Sequence, residues 1–289
     1  MNWTWRSVLA FGILVNLVGW LYQPVVVNLV RQWWNDANYS HGFLIPLMSL
    51  YFVWERREQL ARLTPTPSLL GLAILVAGVG VFLLGNVAAD LFTMRVSLLV
   101  ILAGLVLYLL GREYLKTLSF PILYLLFMIP LPAIVFNSIA FPLQLFAART
   151  ATASLQLLDV PVLREGNLIT LANTILDVAE ACSGIRSLIT LLALAATYAY
   201  FTQKGLWCRG LLFISAVPIA IVTNAGRVTG TGVLAHFFGD GVAQGFFHTF
   251  SGWLVFVAAF VLLFVEGFLL RTIAARVPFV VRGKASQGA

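Results

Sequence analysis

The chain has 289 residues, of which 61% are hydrophobic and only 10% are charged, and its mean hydropathy is +0.95. Water-soluble domains are about 45–50% apolar and about 25% charged, so this composition excludes an ordinary soluble protein. The formal net charge of +7 does not indicate nucleic-acid binding, because the basic residues form short clusters between apolar runs and no basic stripe with interleaved aromatics is present.

Apolar runs of about 20 residues recur, each long enough to cross a hydrocarbon core about 30 Å thick. The alternation typical of membrane β-barrels is absent from the sequence. The first run is too long for the apolar part of a cleaved signal peptide, so we predict an uncleaved first span. The sequence therefore predicts an all-α polytopic membrane bundle and a single membrane domain over residues 1–289. About eight spans are expected, near 7–30, 40–54, 68–89, 91–110, 118–136, 183–202, 210–226 and 252–270.

Basic residues are distributed unevenly over the predicted connections. One set of connections, which includes both termini, holds 12 of the 18 basic residues. The alternate set holds the other six, spread over longer loops that also carry seven acidic residues. The positive-inside rule therefore predicts that both termini are cytoplasmic, which agrees with an even number of spans.

Two predicted external segments are long. Residues 137–182 begin with an amphipathic stretch over 137–158 that suits the interface plane. Turn residues and the alternation over 168–178 then indicate a short hairpin. Residues 227–251 are rich in glycine and aromatics. The two cysteines, Cys182 and Cys208, are expected on opposite sides of the membrane, which excludes a disulfide between them.

Cys182 lies at the predicted external start of the sixth span, followed by the small residues Ser183 and Gly184, which permit close backbone approach. The positive end of the helix dipole lowers a thiol pKa and favours the nucleophilic thiolate. Arg186, one helical turn further on, would add to this effect. The alternative is a small apolar residue packed between helices, since most free cysteines are buried and inert.

Two more polar residues are expected at the external ends of other spans. Arg227 ends the seventh span and has the donor geometry to stabilise an oxyanion or bind a carboxylate. The alternatives are an arginine that extends to the interface or one paired with Asp240. His248 precedes the last span and can exchange a proton near neutral pH, or it can simply pack between helices. Together with Cys182 they form the set of groups that a cysteine peptidase or transpeptidase needs.

Other polar residues are secondary candidates. His41 is also predicted to be external and would help to shape the substrate entrance, while His236 is a second candidate for proton transfer. Glu180 would orient His248 or repel the thiolate. No cluster has metal-ligand spacing and no nucleotide-binding glycine pattern occurs, so neither a metal nor a cofactor is expected.

These segments resemble the exosortase/archaeosortase family, the bacterial exosortases in particular. The resemblance rests on Ala181-Cys182-Ser183-Gly184-Ile185, on the segment Asn224 to Arg227, and on His248 with Gly252 at the last span. Tyr39-Ser40-His41-Gly42-Phe43, Trp54-Glu55-Arg56-Arg57, Glu165-Gly166-Asn167 and the order of the spans agree with it. It covers roughly residues 35–270.

The resemblance implies an integral membrane cysteine enzyme of the bacterial inner membrane, with its active site on the external, periplasmic side. Exosortases recognise a C-terminal sorting signal on exported proteins, formed by a short Pro-Glu-Pro-like motif, a transmembrane helix and a basic tail. They are thought to cleave there and to transfer the product to an acceptor, and they are associated with exopolysaccharide production. The family's cysteine, arginine and histidine correspond to Cys182, Arg227 and His248, with Asn224 beside them. From the resemblance we do not expect the additional C-terminal domain that some members carry.

Two other functions stay open from the residues alone. A transporter or scaffold of an exopolysaccharide export system would use Arg227 and the external loops to bind an anionic lipid-linked sugar, and would not need Cys182. A polytopic glycosyl-transfer enzyme would instead need acids such as Asp177, Glu180 or Asp240.

Overall fold

The computed structural model describes the backbone of residues 5–172, 174–178, 184–239 and 246–276, and the side chains of residues 12–14, 16–172, 174–178, 184–239 and 252–273. Two short 3-10 helices span Ala37–Phe43 and Leu125–Met128. The strands β1 (Val162–Glu165), β2 (Leu168–Leu171) and β3 (Ile175–Asp177) form an antiparallel sheet in that order. The α-helices of these ranges are α1 (Trp5–Asn35), α2 (Leu44–Glu55), α3 (Arg57–Arg62), α4 (Leu69–Val87), α5 (Leu91–Leu109), α6 (Arg112–Tyr124), α7 (Ala133–Leu157), α8 (Ile185–Thr202), α9 (Leu206–Phe238) and α10 (Phe246–Arg276).

Helices long enough to cross a membrane dominate the fold. Within the described ranges seven stretches are long and apolar enough, and they lie in α1, α4, α5, α7, α8, α9 and α10. Many of their leucine, valine and phenylalanine side chains are exposed, which suits a lipid solvent and not water. The predicted fold class, an all-α polytopic membrane bundle, is confirmed. The exact number of spans and the side of each terminus stay predictions.

Three of the expected spans have different bounds in the structure. The stretch expected at 40–54 is a 3-10 helix followed by the 12-residue helix α2. The stretch expected at 118–136 is not one helix, because α6 ends at Tyr124, a 3-10 helix follows, and α7 begins only at Ala133. Pro130 and Pro132 lie in the gap, where they provide no N–H donors and disfavour helical backbone in the residues directly before them. The residues that follow, expected to begin an external segment, form α7. The span expected to end at 226 continues to Phe238 within α9.

The chain forms two compact units, Met1–Pro132 and Ala133–Ala289, whereas the sequence predicts a single membrane domain, which stays a prediction. In the first unit, α4 and α5 form a close hairpin. Gly71, Gly78 and Gly85 recur every seven residues on α4, so they lie on one face of the helix. A Cβ atom would lie 2.6 Å from Cγ1 of Ile101 at position 78 and 2.8 Å from the backbone nitrogen of Met94 at position 85. Only glycine permits this approach of the two backbones.

The hairpin turn is closed by Asp90, which caps the N-terminus of α5. Its carboxylate accepts hydrogen bonds from the hydroxyl and the backbone N–H of Thr93 and from the N–H of Phe92. Hydrogen bonding to the side chain and backbone of Thr93 holds the pKa of Asp90 below its ordinary value. This cap satisfies helix N–H groups that would otherwise have no partner in the chain.

In the first unit, the end of α1 is joined to both 3-10 helices. The indole Nε1 of Trp33 donates to the carbonyl of Met128 at 2.9 Å, and Gly42 packs against the face of the same indole. Tyr39, Gly42 and Trp33 are buried. The segment that contains His41 is therefore an ordered part of this unit.

The second unit has two hydrophobic clusters that share α9. The first half of α9 packs with α8 and α10 through residues such as Leu191, Leu212 and Leu263. The second half packs with α7 and the sheet in what we call the outer cluster, formed by Ala147, Ala148, Ala151, Leu155, Val160, Ile169, Leu171, Leu176, Val178, Val228 and Ala235. Helix α7 therefore packs on the part of α9 that lies beyond Arg227, although its own length and composition would suffice to span a membrane.

Candidate functional site

Asn224 and Arg227 occupy the middle of α9, at the point where its two hydrophobic clusters meet. Residues three apart on a helix lie on the same side, so the two side chains are neighbours. Asn224 is only 4% exposed, and Arg227 is partly buried. At 1.5 Å per residue Arg227 lies about 32 Å along α9 from Leu206, roughly the thickness of a hydrocarbon core. The start of α8 and the helix α10 both approach this pair.

The N-terminus of α8 lies against Asn224. Gly184 caps this helix with a φ of +78°, a left-handed conformation that favours glycine, and its carbonyl accepts the first helical hydrogen bond from Leu188 at 2.8 Å. A Cβ atom at position 184 would lie 2.8 Å from Cγ of Asn224. Both the backbone conformation and the contact therefore require glycine, as the sequence indicated from its small size.

The start of the last apolar span lies against Arg227. A Cβ atom at Gly252 would lie 3.4 Å from Nη1 of Arg227. His248 belongs to the same helix, α10, one turn before Gly252. Residues four apart lie on one face of a helix, so this face of α10 carries both positions. The side chain of His248 itself lies outside the described part of the structure.

The start of α8 and the helix α10 therefore both meet α9 near its residues 224–227. Gly184 brings the start of α8 to Asn224, and Gly252 brings α10 to Arg227. The positive end of the α8 dipole is at this N-terminus and therefore lies beside Asn224. A helix N-terminus beside a guanidinium gives an electropositive environment suited to a thiolate or an oxyanion.

Some predicted site residues lie outside this geometry. Cys182 and Glu180 lie outside the described residues; in the sequence Cys182 precedes Gly184 by two positions. Arg186 is the second residue of α8, and its side chain is exposed. His236 lies nine residues after Arg227, about half a turn round α9, so it does not share the face of Arg227. Its Nδ1 is buried and has no hydrogen-bond partner among the described atoms.

His41 belongs to the first unit. Its Nε2 lies 3.2 Å from the carbonyl oxygen of Phe127, and its ring is close to that of Tyr39. These contacts fix the imidazole within that unit. A role at the substrate entrance stays a prediction for this residue.

Arg95 is a buried charge that the sequence analysis counted only for topology. It lies on the second turn of α5, is 3% exposed, and donates from Nη2 to Oδ1 of Asn28 at 2.9 Å. Its Nε is buried without a hydrogen-bond partner among the described residues. The signal was available in the sequence, because an arginine inside an apolar run is rare and costly.

Comparison with protein-family models gives one family, described as transmembrane exosortase, whose model matches residues 33–265. Comparison with curated protein sequences gave no match. Comparison with solved structures gave none either. The matched range contains Cys182, Asn224, Arg227, His248 and Gly252, and it covers most of the chain. The chain belongs to the transmembrane exosortase family.

Proposed function

We propose that this protein is a membrane cysteine transpeptidase or peptidase that cleaves C-terminal sorting signals of exported proteins. The observation that carries the proposal is the meeting of α8, α9 and α10 at Asn224 and Arg227. Two peptide units span at most about 7 Å, so the sulfur-bearing residue Cys182 is tethered close to Gly184 and thus to Asn224. His248 is one turn from Gly252, which lies beside Arg227.

The chemistry follows from these three groups. The thiolate of Cys182 attacks the carbonyl carbon of the scissile peptide, and a C–S bond forms as the carbonyl oxygen becomes an oxyanion. Arg227 stabilises that oxyanion with its N–H donors. His248 then gives a proton to the departing amine as the C–N bond breaks, which leaves a thioester.

The thioester is opened in a second step. Water or an acceptor nucleophile gives up a proton to His248 and attacks the thioester carbonyl. The C–S bond then breaks and the thiolate returns. Water gives hydrolysis, and an acceptor at the cell surface gives transfer. Asn224 and Gly184 act as positioning residues, because they fix the start of α8 against the arginine.

The partners of this reaction are exported proteins that end in a short motif, a membrane helix and a basic tail. The helix of the substrate would dock laterally from the lipid, and its basic tail would stay on the cytoplasmic side. The protein would then lie in the bacterial inner membrane, with its site facing outward. An acceptor from an exopolysaccharide system would complete the transfer.

The test is processing of a co-expressed exported reporter that carries such a C-terminal signal. We expect Cys182→Ala to abolish processing and Arg227→Gln to reduce it by about 10²–10³-fold, the usual effect of losing an oxyanion donor. Cys208→Ser is the matched control and should process normally. A Cys182→Ala variant that processes the reporter like the unchanged protein would refute the chemistry. If it does so while Arg227→Gln fails, the transporter or scaffold function is favoured.

A further inference from the structure

The three-stranded sheet is attached to the second unit through one face. Ile169, Leu171 and Leu176 point into the outer cluster and are buried there. On the opposite face Ile175 is 58% exposed. Because the strand order is β1-β2-β3, the two outer strands β1 and β3 each have one edge without a neighbouring strand in the sheet. One face of the sheet is thus packed against the outer cluster, and within the described part of the chain no further strand pairs with β1 or β3.

The register determines which backbone groups of β3 face outward. Val178 donates its N–H to the carbonyl of Asn167, and Leu171 donates to the carbonyl of Thr174. Residues 174, 176 and 178 therefore pair with β2, since bonding directions alternate along a strand. The N–H and C=O groups of Ile175 and Asp177 point the other way. Within the described part of the chain these groups have no hydrogen-bond partner on that side.

The two edges of the sheet differ in how they are protected. Edge strands are usually blocked by proline or by charged side chains, because unpaired edges bind other strands. The β1 edge has both kinds of protection, since Pro161 precedes it and Arg164 and Glu165 are exposed on it. The β3 edge has no proline or lysine, and its acidic residue Asp177 accepts a hydrogen bond from Nδ2 of Asn167. The sequence leaves β3 available for pairing.

The β3 strand also leads to the candidate site. Val178, the residue after β3, is buried in the outer cluster together with Val228, the neighbour of Arg227. The chain continues to Gly184, which packs against Asn224. In the sequence the proposed nucleophile Cys182 therefore stands between Val178 and Gly184, which both pack close to this part of α9. This continuity distinguishes β3 from β1.

We propose that the open edge of β3 binds the substrate polypeptide as an added strand. The occupant is an extended segment next to the scissile bond, held by the N–H and C=O groups of Ile175 and Asp177. These two residues lie about 7 Å apart along a strand, which suits a segment of three or four residues. Main-chain pairing gives affinity, and only alternate side chains of the peptide meet the protein. The proposal rests on the proposed function for the identity of the bound polypeptide.

The first arm of the test is cross-linking in full-length protein that carries Cys182→Ala, which retains substrate without cutting it. A photo-reactive phenylalanine analogue replaces Ile175 in one variant and Leu163 of β1 in the other. The two side chains are matched, at 58% and 60% exposed. With the exported reporter co-expressed in membranes, we expect reporter cross-links from position 175 and few or none from position 163.

The second arm removes one backbone donor from each edge. Ile175→Pro deletes an outward N–H that β2 does not use, and Arg164→Pro does the same on the β1 edge. In protein with Cys182 intact, the loss of one hydrogen bond of about 0.5–1.5 kcal/mol should raise the KM for the reporter about two- to twelvefold, with kcat nearly unchanged. Arg164→Pro should leave both constants as they are. Thermal unfolding in detergent checks that both variants are folded.

The outcomes separate this inference from the proposed function. Equal cross-linking from both edges, unchanged KM in a folded Ile175→Pro variant, or cross-links from 175 to a second copy of the chain would each overturn it. If Ile175 cross-links the reporter while Cys182→Ala still processes it, the edge binds substrate but the cysteine chemistry is wrong. If Cys182→Ala is inactive and position 175 gives no cross-link, the chemistry stands and the edge does not bind.

Discussion

A single glycine determines how α8 begins beside Asn224. Gly184 combines a left-handed backbone with a close contact, and each of these would be unfavourable for any residue with a side chain. Gly166, in the turn between β1 and β2, has a φ of +65° but nothing within 4 Å of its Cβ position. The two glycines therefore separate the energetic effect of the backbone conformation from that of the contact.

We expect Gly184→Ala to lower the thermal unfolding midpoint in detergent more than Gly166→Ala. Gly166→Ala should lose about 1–2 kcal/mol, the cost of the left-handed conformation alone. Gly184→Ala adds the clash with Asn224, and the double variant Gly184→Ala with Asn224→Ala should lose less than the sum of its single changes. Strict additivity would contradict the contact.

At the residue scale the sequence predicts candidate site residues but not their surroundings. Arg227 and His248 are candidates because polar groups are costly near lipid, and the structure adds that Gly252 lies beside Arg227. Contacts between α8, α9 and α10 depend on tertiary packing, which a single sequence does not contain. The roles of Cys182, Arg227 and His248 stay predictions.

At the scale of elements, the α4–α5 hairpin shows how small residues bring helices together in lipid. The hydrophobic effect does not drive helices together where the solvent is itself apolar, so helix association depends on close packing. The glycines at 71, 78 and 85 of α4 provide it, and Gly104 of α5 packs against Leu75 in the same way. Gly80, on another face of α4, has nothing within 4 Å of its Cβ position.

Gly85→Ala and Gly80→Ala form a matched pair on one helix. At position 85 the new methyl group would meet the backbone nitrogen of Met94, which cannot move without shifting α5. We expect Gly85→Ala to lower the unfolding midpoint in detergent. Gly80→Ala should leave it unchanged or raise it slightly, since alanine is the better helix former. Equal effects of the two changes would show that the hairpin does not depend on this contact.

Element boundaries were predicted well where composition alone decides them. The spans near 68–89 and 91–110 agree closely with α4 and α5. The stretch near 118–136 was wrong as one helix, because its apolar composition concealed the effect of Pro130 and Pro132. The end of α9 was placed too early, because the first polar residues stop a hydropathy run. The helix continues because Val228 and Ala235 pack in the outer cluster.

At the scale of the whole molecule, orientation is predicted from charge. Twelve of the 18 basic residues lie in one set of connections, and this set includes Lys204 and Arg209 beside the start of α9. The exposed Trp207 lies at the same end, and the exposed Trp253 lies next to Gly252. Tryptophans are typical of both membrane interfaces, which agrees with this placement.

The two native cysteines can test this orientation. In intact spheroplasts we expect a membrane-impermeant maleimide to label the Cys208→Ser variant through Cys182. The Cys182→Ser variant, which retains only the partly exposed Cys208, should be labelled only after the membrane is opened. The measurement is the mass shift of the labelled protein. Labelling of Cys208 in intact spheroplasts would reverse the predicted orientation of the second unit.

Helix α9 has 33 residues, about 50 Å at the rise of an α-helix, and so exceeds the hydrocarbon thickness by roughly 20 Å. One continuous helix therefore joins the basic end near Lys204, Arg227, and the part of α9 that packs with α7 and the sheet. The distance along the helix from Leu206 to Arg227 is then an internal dimension of the protein. A thinner or thicker bilayer therefore has to adjust its lipids around this helix, and the distance of Arg227 from the basic end of the helix does not change with the bilayer.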